Sequence, residues 1–288
     1  MQQKQLKWYL LGLLSLIWGS SFILIKRGLE GLNPFQLGSL RIIFCAVFLL
    51  IIGFRTLKTI PQGQWKYIAL TALMGTFLPA FLFSIAQMQI NSSVSAILNS
   101  LTPLNTLILG ATVFGLSFQR RQLIGVVIGL IGCVLLIYNG AINNPNQNYY
   151  YAIFVIMASV CYATNVNLIK KYLSDLKPLA ISTGNFAVML VPAILVLCFS
   201  GFFDIATLPQ THRSMMYIAI LAVLGTGIAN IVFFRLIQMS SPIFSSSVTY
   251  LIPIVAFGWG LLDGESLTPV QGLGAAIILV GVYFSARK

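Results

Sequence analysis

The fold is decided by a stretch that occurs twice in the chain, GTFLPAFLFSIAQMQINSSVSAILNSLTP at residues 75–103 and GTGIANIVFFRLIQMSSPIFSSSVTYLIP at residues 225–253. Each stretch is mostly apolar, and matching residues recur at a constant offset of 150 positions. A fixed offset of this kind predicts a chain built from two related halves. The recurring residues are Gly75, Thr76, Phe83, Ser95, Leu101 and Pro103 in the first stretch, and Gly225, Thr226, Phe233, Ser245, Leu251 and Pro253 in the second.

The whole chain is strongly apolar, because 58% of its 288 residues are hydrophobic and only 8% are charged. Apolar runs of about 20 residues, the length that crosses a bilayer as a helix, follow one another along the sequence. The sequence therefore predicts an all-α integral membrane protein surrounded by the lipid bilayer. The net charge of +12 comes from basic residues in the short breaks. Because these residues form no continuous stripe, no nucleic acid partner is predicted.

The apolar runs predict ten transmembrane helices, five in each half. The longest polar break, residues 139–148, divides the chain into a first repeat at 1–140 and a second repeat at 149–288. Because five is an odd number, the second repeat enters the membrane upside down relative to the first, as in many secondary transporters. The predicted spans are residues 7–26, 34–54, 65–87, 91–116, 121–138, 149–169, 179–200, 213–236, 242–262 and 268–285.

The distribution of basic residues predicts the orientation in the membrane, because Lys and Arg resist translocation. With the amino terminus inside, most basic residues lie on the cytoplasmic side, and only Lys26, Arg27 and Arg213 lie outside. We therefore expect a multi-pass protein of the cell membrane, that is the inner or plasma membrane, with both termini cytoplasmic.

A series of short motifs follows in order along nearly the whole chain. They are Trp18-Gly19-Ser20-Ser21-Phe22, Lys26, Asn33-Pro34 leading to Arg41, the run Ser92 to Ala96 before Leu101-Thr102-Pro103, its partner Ser245 to Pro253, and Gly264-Glu265. Their order and spacing resemble the drug/metabolite transporter superfamily and, within it, the EamA-type carriers. The resemblance implies a secondary transporter that exports small metabolites by alternating access. One departure is that EamA repeats often carry a Gly-Glu pair before their last helix, whereas the first repeat here has Leu116-Ser117.

Interruptions at corresponding places in two helices indicate a transport site, because a broken helix exposes backbone groups that are tolerated only beside a cavity. Pro103 and Pro253 are predicted to be such a pair of helix breaks. The alternative is that each proline kinks a packed helix and that the nearby polar residues serve packing. Polar and aromatic residues near these breaks, or in matching helices, give the predicted substrate-binding set: Trp18, Ser21, Arg41, Gln87, Asn99, Thr102, Tyr162, Asn165, Asn230, Thr249 and Tyr250.

Arg41 lies seven positions after Pro34, so it is expected about 10 Å inside a hydrocarbon layer about 30 Å thick. Two roles stay open for it. The guanidinium can hold an anionic or carboxylate-bearing substrate, or it can tie helix ends by bonds to backbone carbonyls. All five acids lie at span ends or in loops, so no buried carboxylate is predicted to carry protons or bind cations. The predicted cargo is therefore a neutral, zwitterionic or mildly anionic solute, with amino acids and related metabolites fitting best.

No catalytic or metal-binding cluster can be assembled from the sequence. His212 is the only histidine and lies in a predicted outer loop, and the four cysteines lie in apolar runs without CxxC spacing. We therefore predict neither a cofactor nor a metal, and no enzyme activity. The alternatives to transport are a membrane-embedded enzyme acting on a lipid-linked substrate, and a scaffold or sensor that translocates nothing. The expected partners are a small-molecule substrate and the bilayer, with the chain a monomer or a homodimer.

Overall fold

The structure is a computed structural model that describes residues 3–90, 95–96, 98–117, 119–143, 148–262 and 269–286. The described residues form helices joined by short connections, without any strand. The motif Gly264-Glu265 and most of the run Ser92 to Ala96 lie outside the described residues.

The described residues of the first repeat form five helices, and local sequence explains where the second of them begins. The second helix starts at Pro34 because the Asn33 side chain accepts hydrogen bonds from the backbone N–H groups of Phe35 and Gln36. The Gln36 side chain accepts in return from the Asn33 N–H, which completes a capping box. The helices are α1, Gln3–Gly28; α2, Pro34–Gly53; α3, Gln62–Ala86; α4, Thr102–Thr112; and α5, Arg120–Asn143.

The second repeat contains the next five helices, and four of them begin with a proline. Proline suits the first turn of a helix because the backbone N–H that it lacks would have no partner there. The helices are α6, Ala152–Tyr172; α7, Pro178–Phe199; α8, Pro209–Met239; α9, in two parts, Pro242–Ser246 and Val248–Leu262; and α10, Pro269–Ala286.

Among the described residues, six of these helices are long and apolar enough to cross a membrane, namely α1, α2, α3, α6, α7 and α8. A shorter apolar segment, Pro242–Ala256, lies within α9. Together with α4, α5 and α10 they form the expected series of ten. The predicted all-α membrane fold of ten helices in two inverted repeats is confirmed.

The first helix of each repeat packs against the other repeat. α1 packs against α8 and α9 of the second repeat, and α6 packs against α3 and α4 of the first. α2 packs against its equivalent α7, and α5 packs against its equivalent α10. This set of contacts is unchanged when the two repeats are interchanged. The helices are therefore related by a pseudo-two-fold axis that passes between α2 and α7 and between α5 and α10.

The Gly-Thr pair of each repeated stretch lies in a short π-helical segment. Leu73–Phe77 interrupts α3, and Leu221–Ile228 interrupts α8. A π segment adds a residue to a helical turn, and such segments often occur at functional sites. The two equivalent helices therefore share one irregularity at the same depth.

The two predicted helix breaks differ in the structure. Pro103 is the second residue of α4, directly after the 3₁₀ turn Asn99–Leu101, so this helix does change its winding before the proline. Pro253 does not break its helix, because Val248–Leu262 is continuous through it and the interruption of α9 lies at Ser247. The helix continues because the carbonyl that Pro253 leaves without an N–H donor, that of Thr249, accepts a hydrogen bond from the Ser100 hydroxyl at 2.8 Å.

Candidate functional site

A cavity lies in the middle of the bundle, where helices of both repeats meet. It has a volume of about 910 Å³ including the space at its mouth. Most of the predicted binding residues come together here, although they are widely spaced in the sequence. The predicted residues that line it are Trp18, Ser21, Arg41, Asn99, Thr102, Tyr162, Asn165, Asn230 and Thr249.

Two predicted residues do not line this cavity. Tyr250 is fully buried in a hydrophobic cluster, its hydroxyl donates to the Val126 carbonyl at 3.2 Å, and its ring lies against Gly129. Gln87 lies just after the end of α3, and both polar atoms of its amide are buried with no hydrogen-bond partner among the described residues. Neither Pro103 nor Pro253 lines the cavity, since each acts on the backbone of its own helix.

Several residues that line the cavity were not in the predicted set, although they recur at equivalent positions of the two repeats. Gly75 and Thr76, with Phe83, line the cavity from α3, and Thr226 and Phe233 line it from α8. Their recurrence at equivalent positions was the available signal, because a site on the axis between two repeats is lined by equivalent residues of both. The remaining missed residues are mostly apolar and carry no chemical signal in the sequence.

Two equivalent pairs of aromatic rings form the walls. The Trp18 ring packs edge-on against Phe233 with a centroid distance of 4.9 Å, and the Tyr162 ring stacks on Phe83 at 5.9 Å. Trp18 is fixed further because its indole N–H donates to the Gly225 carbonyl at 2.9 Å, in the π segment of α8. The walls can therefore contact an apolar group of a ligand from two sides.

The glycines of the two π segments allow polar side chains to lie directly on the backbone. A Cβ atom at Gly75 would overlap the amide group of Asn165, and one at Gly225 would lie 2.7 Å from the Ser21 hydroxyl. Ser21 and Asn165 occupy equivalent positions in α1 and α6. Each therefore approaches the π segment of the opposite repeat and places its polar group at the cavity.

Arg41 brings a positive charge to the cavity from α2. Its Nε–H donates to the Thr226 hydroxyl at 2.8 Å. The Asp and Glu residues of the described chain do not line the cavity, and Glu30 pairs instead with Arg27 at 2.8 Å. The charge of Arg41 therefore faces the cavity without a carboxylate partner among the described residues.

Two hydrogen-bonding atoms at the cavity lack partners within the described part of the chain. They are the Thr76 hydroxyl oxygen and the Asn165 side-chain oxygen. Thr76 is 6% exposed and Asn165 is 3% exposed, so both side chains are buried. A buried oxygen without a donor is unfavourable, and a ligand that supplies N–H groups would relieve it.

The family model described as the EamA-like transporter family matches residues 6–138 and 150–287. The chain belongs to this family. It is 26% identical over 275 residues to the "Uncharacterized inner membrane transporter YedA" of Escherichia coli (strain K12), covering 93% of this chain and 87% of that protein. It is also 26% identical over 284 residues to the "Probable amino-acid metabolite efflux pump" of Salmonella typhimurium (strain LT2), covering 95% of this chain and 92% of that protein.

A solved crystal structure shares the fold with a TM-score of 0.73 at 14% identity, covering 96% of this chain and 94% of that one. At this identity the likeness concerns the fold alone. Family membership establishes a multi-pass membrane transporter of the EamA type, and not an enzyme.

Proposed function

We propose that this protein exports small amino-acid-like metabolites by alternating access around the central cavity. The observation that carries the proposal is the composition of the cavity, which is lined by both inverted repeats and holds one cation and two aromatic pairs. Inverted repeats around a midplane site allow one site to face either side of the membrane in turn. The name of the Salmonella relative, an amino-acid metabolite efflux pump, agrees with this class of cargo.

Different contacts close the two ends of the bundle. At the end where α1 meets α2, the Gln210 side-chain amide at the start of α8 donates to the Glu30 carbonyl, and the Ser214 hydroxyl donates to the Arg27 carbonyl at 3.3 Å. At the same end, the side chains of Asn33 and Gln36 both donate to the Ser200 carbonyl. Apolar side chains of α1, α2, α7 and α8 also pack together at this end.

The opposite end is closed by apolar packing together with hydrogen bonds from lysine and glutamine side chains to backbone carbonyls. Ile60, Leu173 and Leu176 belong to one hydrophobic cluster, and the rings of Tyr67 and Tyr172 stack with a centroid distance of 4.1 Å. With the amino terminus inside, as the basic residues predict, this closure lies on the cytoplasmic side. Export then requires the cytoplasmic closure to open for loading and the opposite closure to open for release.

Transport by purified protein in liposomes tests the proposal. We expect vesicles with the wild-type protein to exchange radiolabelled neutral amino acids faster than protein-free vesicles. Asn99→Leu, which removes a polar cavity residue, is expected to slow exchange at least about tenfold, the loss of one hydrogen bond to a bound ligand.

Thr112→Leu is the matched control, because Thr112 is exposed near the end of α4 and bonds only to the Ile108 carbonyl. It is expected to exchange at the wild-type rate. Wild-type vesicles that exchange none of the amino acids would refute the proposed cargo. Undiminished exchange by Asn99→Leu would show that the cargo takes another path.

A further inference from the structure

Arg41 occupies an unusual electrostatic position for a membrane protein. A guanidinium has five N–H donors, and Thr226 is the one hydrogen-bond partner that the described residues give it, through Nε. A charge at this depth is costly unless it is paired or bonded. The unused N–H groups belong to a side chain that lines the cavity.

The second repeat indicates that the fold does not require this charge. With the early-helix offset that pairs Asn33-Pro34 with Lys177-Pro178, the equivalent of Arg41 is Asn185. Asn185 is fully buried in α7 and its amide bonds to the Thr71 hydroxyl at 2.9 Å, away from the cavity. The same position in the same architecture is thus filled by a neutral side chain. The repeated architecture therefore does not by itself require a charge at this position.

The groups that line the cavity indicate the chemistry of a ligand that would bind there. The fork of Arg41 matches a carboxylate, which accepts two parallel N–H bonds. The unpartnered oxygens of Thr76 and Asn165 match the N–H groups of an ammonium. The aromatic walls at Trp18 and Tyr162 match an apolar side chain carried by the same molecule as these two charged groups.

We propose that Arg41 is the specificity-determining residue of the transport site, and that it selects cargo with a free carboxylate. The carboxylate binds the guanidinium, and the ammonium group of the same molecule faces Thr76 and Asn165. The cargo is then a zwitterion of the α-amino-acid kind with an apolar side chain. Its carboxamide, which keeps the ammonium but lacks the negative charge, is rejected. This inference rests on the proposed function.

The test compares free amino acids with their carboxamides in proteoliposomes. Leucine, phenylalanine, methionine and valine are each offered in both forms to wild-type protein and to Arg41→Gln. We expect the wild-type protein to carry the free acids in preference to the amides. In Arg41→Gln the KM for the free acids is expected to rise about 10- to 100-fold, the loss of a charge-assisted pair. The amides are expected to gain relative to the acids, because the repulsion between two cations is removed.

Two further variants separate binding from structure. Arg41→Lys keeps the charge but loses the planar fork, so we expect it to keep the preference for free acids with a KM raised by less than in Arg41→Gln. Arg55→Gln is the control, because Arg55 is exposed outside the cavity and its loss is expected to change neither KM nor preference.

The possible outcomes distinguish this inference from the proposed function. If wild-type vesicles carry none of the eight compounds, the proposed function fails and the inference fails with it. If the wild type carries the free acids but folded Arg41→Gln has an unchanged KM, or loses acids and amides equally, the inference alone is overturned. If Arg41→Gln does not fold, the test uses Arg41→Lys instead. An equal loss of transport of the free acids and the amides in that variant also overturns the inference.

Discussion

The hydrogen bond from Ser100 to Thr249 is expected to compensate for Pro253. A proline cannot donate to the carbonyl four residues earlier, and the carbonyl in question is that of Thr249. The Ser100 hydroxyl donates to it at 2.8 Å from the opposite repeat, and both residues are buried. Ser100→Ala would therefore leave a buried carbonyl without its side-chain donor.

The expected cost follows from this geometry. Leaving a buried acceptor without its donor costs about 1–3 kcal/mol, and hydrogen bonds between membrane helices fall toward the lower end. We therefore expect Ser100→Ala to lower the free energy of unfolding by about 1–2 kcal/mol. Ser84→Ala is the matched control, because Ser84 is equally buried but its hydroxyl bonds to the Ala80 carbonyl within its own helix. That carbonyl keeps its backbone N–H donor, so the control is expected to lose less than about 0.5 kcal/mol.

A double-mutant cycle in detergent provides the assay. Pro253→Ala restores a backbone N–H that can donate to the Thr249 carbonyl, so Ser100→Ala should cost much less in that background. The free energy of unfolding is measured for the wild type, both single variants and the double variant. Additive effects, or an equal loss in Ser84→Ala, would refute the idea that Ser100 compensates for the proline.

Two further predictions concern residues that the sequence alone leaves ambiguous. The Lys170 ammonium donates to the carbonyls of Ile237, Gln238 and Ser240 at 3.2, 3.2 and 2.8 Å. Lys170→Met is therefore expected to lower the Tm of the purified protein. Lys66→Met, at an exposed position, is the control and is expected to leave the Tm unchanged. A Tm equal to the wild type would contradict this capping role. Tyr250→Ala removes a fully buried ring and is expected to lower the free energy of unfolding by about 3–5 kcal/mol. Loss of transport at an unchanged Tm would contradict this packing role and would indicate that Tyr250 belongs to the binding site.

Much of the fold could be predicted because its signals are local. A run of about 20 apolar residues is sufficient to predict a membrane helix, and a proline after a polar residue, as at Asn33-Pro34, predicts where it begins. The repeat adds the relation between halves without any knowledge of contacts. The π segments could not be predicted, because an extra residue in a helical turn leaves the apolar pattern of α3 and α8 almost unchanged.

The site was harder to predict, because the sequence gives depth along a helix better than the direction of a side chain. Thr249 and Tyr250 are neighbours at one depth, yet Thr249 lines the cavity and Tyr250 points into the packed cluster against Gly129. A helix rotates by about 100° per residue, so adjacent residues face different surroundings. The partner of Arg41 was also beyond prediction, since Thr226 is separated from it by 185 positions.

Unlike residues at equivalent positions would allow a nearly symmetric bundle to bind the proposed cargo, which has no symmetry. Thr76 and Thr226, and likewise Phe83 and Phe233, are identical in the two repeats and line the cavity. Other equivalent positions differ, since Trp18 corresponds to Tyr162, Ser21 to Asn165, and Arg41 to Asn185. An amino acid has one end that attracts cations and another that attracts acceptors, so identical groups on both sides of the axis would bind it in two opposed orientations. The unlike pairs would therefore favour one orientation of the proposed amino-acid cargo, and Arg41, the one pair member that carries a charge, would contribute most to that choice.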